Sequence, residues 1–190
     1  MKMKTRVMII CGLGIAINLV LGTTVQMLKI PLIFLDTLGT IFVAVLFGPL
    51  AGAVTGGLTN VIQGFMTSPQ DIPFALVNIA VGLIVGFVSK RFKFDLKVAV
   101  IVGLILSVVA PLIGTPIAIW LYGGLTGGGT DFIVAWLLST GSSIFTAAFI
   151  PRITGNLIDK VACCILISVL IQYLPAAIMV ETLQSKREQK

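Results

Sequence analysis

The sequence predicts an all-α integral membrane protein of six transmembrane helices, with both termini cytoplasmic and a ligand pocket facing outward. Three observations predict it. Hydrophobic residues make up 57% of the 190-residue chain and charged residues only 11%, with a mean hydropathy of +1.12. A soluble domain carries ~25% charged residues, so this chain cannot cover itself with polar surface. Apolar runs recur along the chain, so the run behind Met1-Lys-Met-Lys-Thr-Arg6 reads as a retained span rather than a cleaved signal. Finally, the basic residues cluster on one side of a six-pass topology, as positive charge marks the cytoplasmic side.

Each element follows from length and charge. A spanning helix needs roughly 17–25 residues. The first span, 7–25, follows Lys2, Lys4 and Arg6. The second and third, 34–49 and 50–66, are short and joined only by Gly48-Pro49; little tilt or local thinning accommodates them. The fourth, 73–89, ends at Lys90, Arg91 and Lys93, and Lys97 precedes the fifth, 98–122. The stretch 123–150 opens on the glycine-rich Tyr122-Gly-Gly-Leu-Thr-Gly-Gly-Gly-Thr-Asp131, a flexible loop by composition. It continues as Phe132-Ile-Val-Ala-Trp-Leu-Leu138, which suits a seventh span or a half-buried hairpin. Charge decides. A seventh span would put Lys186, Arg187 and Lys190 outside. The stretch 123–150 is therefore a long outer or re-entrant loop, and the sixth span is 152–174. Lys29, Arg152 and Lys160 remain near or within the outer half. Residues 1–190 form one membrane domain.

Several chemistries are excluded or lack support. The chain has no His, which removes Ser-His catalysis and His-ligated metals. Ser142-Ser143 therefore has no obvious base. Cys11, Cys163 and Cys164 lie in apolar runs and suit free thiols. No Gly-x-x-x-x-Gly-Lys-Ser/Thr is present, so ATP is not bound by that route. No pair of long homologous halves argues for a self-sufficient repeat transporter. No catalytic residue, cofactor, metal or nucleic-acid partner is expected. The net charge of +6 has a topological explanation.

Polar residues within spans are costly and are functional candidates. Asn18, Asp36, Asn60, Gln63, Asn78, Asn156, Asp159 and Lys160 all fall in the outer half, whereas the inner half offers only small hydroxyls such as Ser107. A channel would distribute polar groups through the whole thickness; this pattern describes a cup closed below. Asn156, Asp159 and Lys160 approach one helical stripe. A structural reading stands beside this: Asp159 pairs with Arg152 or Lys160, and Asn60 and Asn78 hold helices together. The aromatics Phe34, Phe65, Phe74, Trp120, Tyr122, Phe132 and Trp136 thicken on the same side, suiting an interfacial belt or a stacking platform for a flat ring. Small residues recur at Gly12 and Ala16 on the first span and at Gly52, Gly56, Ala53 and Gly57 on the third, which permits close helix approach.

The chain resembles the substrate-binding membrane subunits, or S-components, of energy-coupling factor (ECF) vitamin transporters. The resemblance rests on six spans with basic ends and on ordered signatures: Phe34-Leu-Asp-Thr-Leu-Gly39, Leu46-Phe-Gly-Pro-Leu-Ala-Gly52, Asn60, Asn78 ahead of Ser89-Lys-Arg91, and Pro151-Arg-Ile-Thr-Gly-Asn-Leu-Ile-Asp-Lys160. It implies high-affinity capture of a small vitamin from outside, at the plasma membrane of a prokaryote. It also implies assembly with a transmembrane coupling subunit (T-component) and two cytoplasmic ATPases, whose hydrolysis topples the subunit to release the vitamin inside. Gly12 and Ala16 map to the family's coupling contact, usually Ala-x-x-x-Ala, and the loops 26–33, 67–72 and 123–150 to its gates. Asp36, Asn60, Asn78, Trp120, Asn156, Asp159 and Lys160 are the expected ligand-binding residues. The Phe-Gly-Pro-x-x-Gly turn looks most like riboflavin-type members, but those carry Lys where this chain has Asp159. The expected ligand is pyridoxine-like or the hydroxymethylpyrimidine of thiamine. A riboflavin-type subunit, an autonomous small-solute carrier and a ligand-free scaffold are the competing readings.

Overall fold

A computed structural model describes residues 5–174. The expected basic termini, including Lys2, Lys4, Lys186, Arg187 and Lys190, lie outside the described residues. Those described are helical, without strands: α1 (Thr5–Met27), α2 (Leu38–Phe47), α3 (Pro49–Met66), a 3-10 helix (Pro69–Phe74) running into α4 (Ala75–Arg91), α5 (Leu96–Tyr122), α6 (Asp131–Ser139) and α7 (Ile144–Gln172). Local chemistry sets several boundaries. Asp95 N-caps α5 by accepting the Val98 N–H at 2.9 Å, and Gly123 ends it in the left-handed region. Pro49 opens α3 where its missing N–H costs nothing.

Four segments are long and apolar enough to cross a membrane: Thr5–Met27, Pro69–Arg91, Leu96–Tyr122 and Ile144–Gln172. The expected bounds of the second helix, 34–49, are corrected. The helix begins only at Leu38 and holds 10 residues, a rise of ~15 Å against a hydrocarbon core of ~30 Å. It nevertheless lies at the centre of the bundle, touching α1, α3, α4 and α7, with Ile41, Val43 and Ala44 fully buried. Gly39, near its start, packs against the Gly14 backbone halfway along α1, where any Cβ would collide. The last part of the segment leading to α2, residues 32–37, is therefore non-helical backbone partly enclosed by the bundle, tolerated at such depth when it is enclosed by protein or lines a cavity. The α3 segment has 18 residues, but its glycines, Asn60 and Gln63 dilute its apolar character.

The stretch 123–150 is also corrected in part. It contains α6 and the opening turns of α7, which starts at Ile144 rather than at 152. Pro151 reads as a helix start because proline favours the first turn, yet α7 runs through it.

Two apolar clusters fill the half of the bundle towards the α4–α5 connection. One joins α2, α4, α5 and α7 through residues such as Ile41, Val85, Leu106 and Ile167. The other joins α1, α2 and α3 through Cys11, Val43, Phe47 and Ala51. Gly52 sits against Gly82 so closely that α3 and α4 meet backbone to backbone. The flanks expose Leu13, Val20, Phe87, Leu112, Trp120 and Leu166, an apolar exterior suited to lipid.

Candidate ligand-binding cavity

A cavity of about 220 Å³ opens at the end where α1, α3 and α5 finish and α4 begins. Its size falls just under the ~300–1,000 Å³ of typical small-molecule sites. Room for it comes from Ala110, Pro111 and Gly114 on α5.

The floor is built on the irregular segment before α2. Lys29, Leu32 and Leu35 all adopt positive φ, a conformation that costs non-glycine residues ~1–2 kcal/mol each and survives only where the surroundings enforce it. At Leu35, Asp159 on α7 supplies that constraint. Its Oδ1 accepts the N–H groups of Phe34 at 3.0 Å and Leu35 at 2.8 Å. Its Oδ2 pairs with Lys160 at 2.6 Å. The same ammonium reaches Asp36 Oδ1 at 3.0 Å and lies 5.7 Å from the centroid of the Phe34 ring. One buried lysine thus joins α7 to both ends of the irregular turn.

Beside this floor runs a polar seam. Asn18 donates to the hydroxyls of Thr40 at 2.9 Å and Thr59 at 3.1 Å and accepts the Gly39 N–H at 2.7 Å. Thr40 in turn donates to Asn78 Oδ1 at 2.8 Å. Asn78 donates to Asn60 Oδ1 at 3.0 Å and to the Asp36 carbonyl at 3.2 Å. Four helices and the floor are linked by one continuous network.

The mouth has its own ties. Tyr122 donates to Asp71 at 2.8 Å, joining α5 to the 3-10 helix. Arg152 donates to the Ala148 carbonyl at 2.8 Å and the Gly124 carbonyl at 3.0 Å, joining α7 to the glycine loop. Gly129 lies against the backbone of Lys29 and Ile30 with no room for a side chain, so the loops after α1 and α5 touch.

Of the residues expected from sequence, Asp36, Asn60, Asn78, Asn156 and Lys160 line the cavity together. Asp159 does not line it; it stands behind Lys160 and holds the floor. Its partner is Lys160, and Arg152 turns to backbone carbonyls instead. Trp120 is 79% exposed on the flank and away from the cavity, as are Phe65, Phe132 and Trp136. The aromatic faces at the cavity are Phe34, Phe74 and Tyr122. Thr37, Asp71 and Arg152 line it too although sequence reasoning did not select them for the site. Asp71 lies in a loop already read as a gate, which was the available signal; Thr37 carried none beyond its place beside Asp36. Among the described residues, no His, Cys, Asp or Glu cluster could hold a metal.

Gly12 and Ala16 face outward on α1, and nothing lies within 4 Å of a Cβ built at Gly12. Gly14 between them faces inward to Gly39 and Val43. The small residues of α3 are internal: Gly52 meets Gly82, and Gly56 meets Asn78.

Residues 6–171 match the family model described as ECF transporter, substrate-specific component. Neither the curated proteins nor the solved structures yielded a match.

Proposed function

This chain belongs to the substrate-specific components of ECF transporters, and from that premise we propose that its cavity captures a small water-soluble vitamin or precursor outside the cell for import by an ATP-driven complex. As a family member it is a multi-pass membrane protein that binds a transport substrate. The single observation that carries the finer reading is the cavity itself: an enclosed polar floor, aromatic walls and an opening at one end of an otherwise apolar bundle.

Orientation is supported by charge. Arg6 starts α1, and Lys90, Arg91, Lys93 and Lys97 surround the α4–α5 connection, all at the end opposite the cavity. Positive charge at that end reads as cytoplasmic, so the cavity faces outward and both termini face in. Six passes follow if the irregular segment and α2 together complete the second crossing and α3 the third.

The ligand is a small heteroaromatic molecule of the pyridoxine or hydroxymethylpyrimidine kind. Phe34, Phe74 and Tyr122 offer ring faces, and the volume suits one ring with short substituents. The exposed Gly12–Ala16 face of α1 docks the coupling subunit, since small side chains permit close helix approach in lipid. ATP hydrolysis belongs to two cytoplasmic partner subunits.

The test is to purify the protein and identify by mass spectrometry any molecule it retains, then to measure uptake with and without the coupling module. A retained vitamin, with uptake only when the module is present, is the expected result. Uptake without any coupling ATPase would replace this reading with an autonomous carrier. A protein that binds no vitamin would replace it with a scaffold.

A further inference from the structure

We propose that the cavity selects a ligand carrying a positive charge, an ammonium or protonated ring nitrogen on a small ring, held by the carboxylate of Asp36. This rests on the cavity being the vitamin site and names the class of molecule it takes.

Charge accounting around the cavity points there. Among the described residues, the charged groups on its lining or bonded to that lining are the carboxylates of Asp36, Asp71, Asp131 and Asp159 and the cations of Arg152, Lys160 and, exposed at the rim, Lys29. Asp159 is fully engaged by Lys160 and two backbone N–H groups. Asp131 receives the N–H groups of Thr126 at 3.1 Å and Gly127 at 2.6 Å. In the count of charges at the mouth, Asp131 and Arg152 cancel. Lys160 is then the one ammonium between two carboxylates, and Asp71 meets only the hydroxyls of Tyr122 and Thr67. Lys29 at the rim balances Asp71 in the count, so the negative charge left over is at the floor.

The floor carboxylate is the one open to a ligand. The Asp36 side chain is 42% exposed and lines the cavity. Lys160 holds its Oδ1, and its Oδ2 has no hydrogen-bond partner among the described residues. A second observation at the same place is independent of charge. Thr37 is also a lining residue, and its hydroxyl is buried with no hydrogen-bond partner among the described residues. Buried polar atoms are ordinarily paired, so this floor keeps a spare hydrogen-bonding atom beside Asp36. An unbalanced carboxylate at membrane depth is costly. A cation removes that cost, whereas an anionic ligand adds to it. The rings of Phe34, Phe74 and Tyr122 add faces that favour a cation.

The test uses the full-length purified chain and two ligand pairs that differ only in an aminomethyl for a hydroxymethyl group. These are pyridoxamine against pyridoxine, and 4-amino-5-aminomethyl-2-methylpyrimidine against its hydroxymethyl counterpart. The amine should bind roughly tenfold tighter in at least one pair, the scale of one charge-assisted hydrogen bond. Asp36→Asn should abolish that preference, bringing the two members of the pair to within about threefold of each other. The preference is a ratio, so a loss of folded protein does not imitate the result. If Asp36→Asn does not fold, Asp71→Asn should reduce the preference by a smaller factor. Equal or tighter binding of the hydroxymethyl member in both pairs overturns the charge proposal and leaves the vitamin site standing. Preference for the amine that survives both substitutions also overturns it. If neither pair binds, the retained molecule decides: a cation supports the proposal, and a neutral or anionic molecule overturns it. If nothing binds and nothing is retained, the site reading falls as well.

Discussion

Asn78 and Asn60 are joined by a hydrogen bond, yet they belong to two regions that work differently. Asn78 is part of the seam between α1, α2, α3 and α4, where each amide atom already has a protein partner: Thr40 on its oxygen, Asn60 and the Asp36 carbonyl on its nitrogen. Asn60 belongs to the cavity wall. Its oxygen accepts from Asn78 while its NH₂ group has no hydrogen-bond partner among the described residues. Asn156 is similar, with its nitrogen on the Arg152 carbonyl at 2.8 Å and its oxygen unengaged. Residues of one chemical type at one depth thus divide into those that hold helices and those left open to a ligand. Depth and polarity do not distinguish them; counting each donor and acceptor does. A seam that is fully bonded should fail as a structure when cut, and a wall with open atoms should fail as a binding site.

The largest effect should come from the floor that joins the two regions. Lys160→Met strands Asp159 and Asp36 inside the bundle, and breaking a buried pair from one side costs ~3–5 kcal/mol. Thermal unfolding without ligand should register that loss, and adding Asp159→Asn should restore part of it. A Lys160→Met protein as stable as the parent would mean that the floor does not depend on this ion pair.

Cutting the seam comes next. Asn78→Ala leaves the Thr40 hydroxyl, the Asn60 oxygen and the Asp36 carbonyl short of a partner, at ~1–3 kcal/mol for an unsatisfied buried group. The melting temperature should fall more than it does for Asn60→Ala. Asn60→Ala should do the reverse, lowering ligand affinity several-fold for ~0.5–1.5 kcal/mol of lost hydrogen bonding with a smaller change in melting temperature. Titration and melting of both variants sharpen the comparison, and the opposite ranking would break it.

The smallest effects on binding and stability should lie on the exterior. Gly12→Leu adds bulk where no neighbour stands among the described residues, and Ala16→Leu adds it at an exposed position, so stability should stay within ~0.5 kcal/mol and ligand affinity should not change. Uptake through the coupling module should fall. Normal assembly and transport by both variants would remove this face from the coupling contact. Trp120→Ala should leave ligand affinity unchanged, as befits a side chain directed to the flank.

The sequence by itself determined the all-helical membrane class, because 57% hydrophobic and 11% charged residues leave no soluble alternative. It also determined which half of the bundle would hold the polar groups, because that bias is written in residue order along helices of known rise. Five of the seven residues chosen for the site, Asp36, Asn60, Asn78, Asn156 and Lys160, do line one cavity. Tertiary structure alone decided the rest. Asp36 reads as the start of a helix, but contact of Gly39 with Gly14 and capture of the Phe34 and Leu35 N–H groups by Asp159 keep the chain irregular to Thr37. These contacts span 25 and 124 or more positions of sequence, so no local propensity encodes them. Trp120 looked like a cavity wall because aromatics flank the glycine loop. Which way a helix faces depends on its neighbours: Tyr122 turns inward to Asp71 and Phe74 of the 3-10 helix, and Trp120 lies on the flank. A pattern along one helix states how often polar residues recur; only the packed bundle states which hydrogen-bonding atoms remain unpaired, because pairing is a property of two helices and not of one.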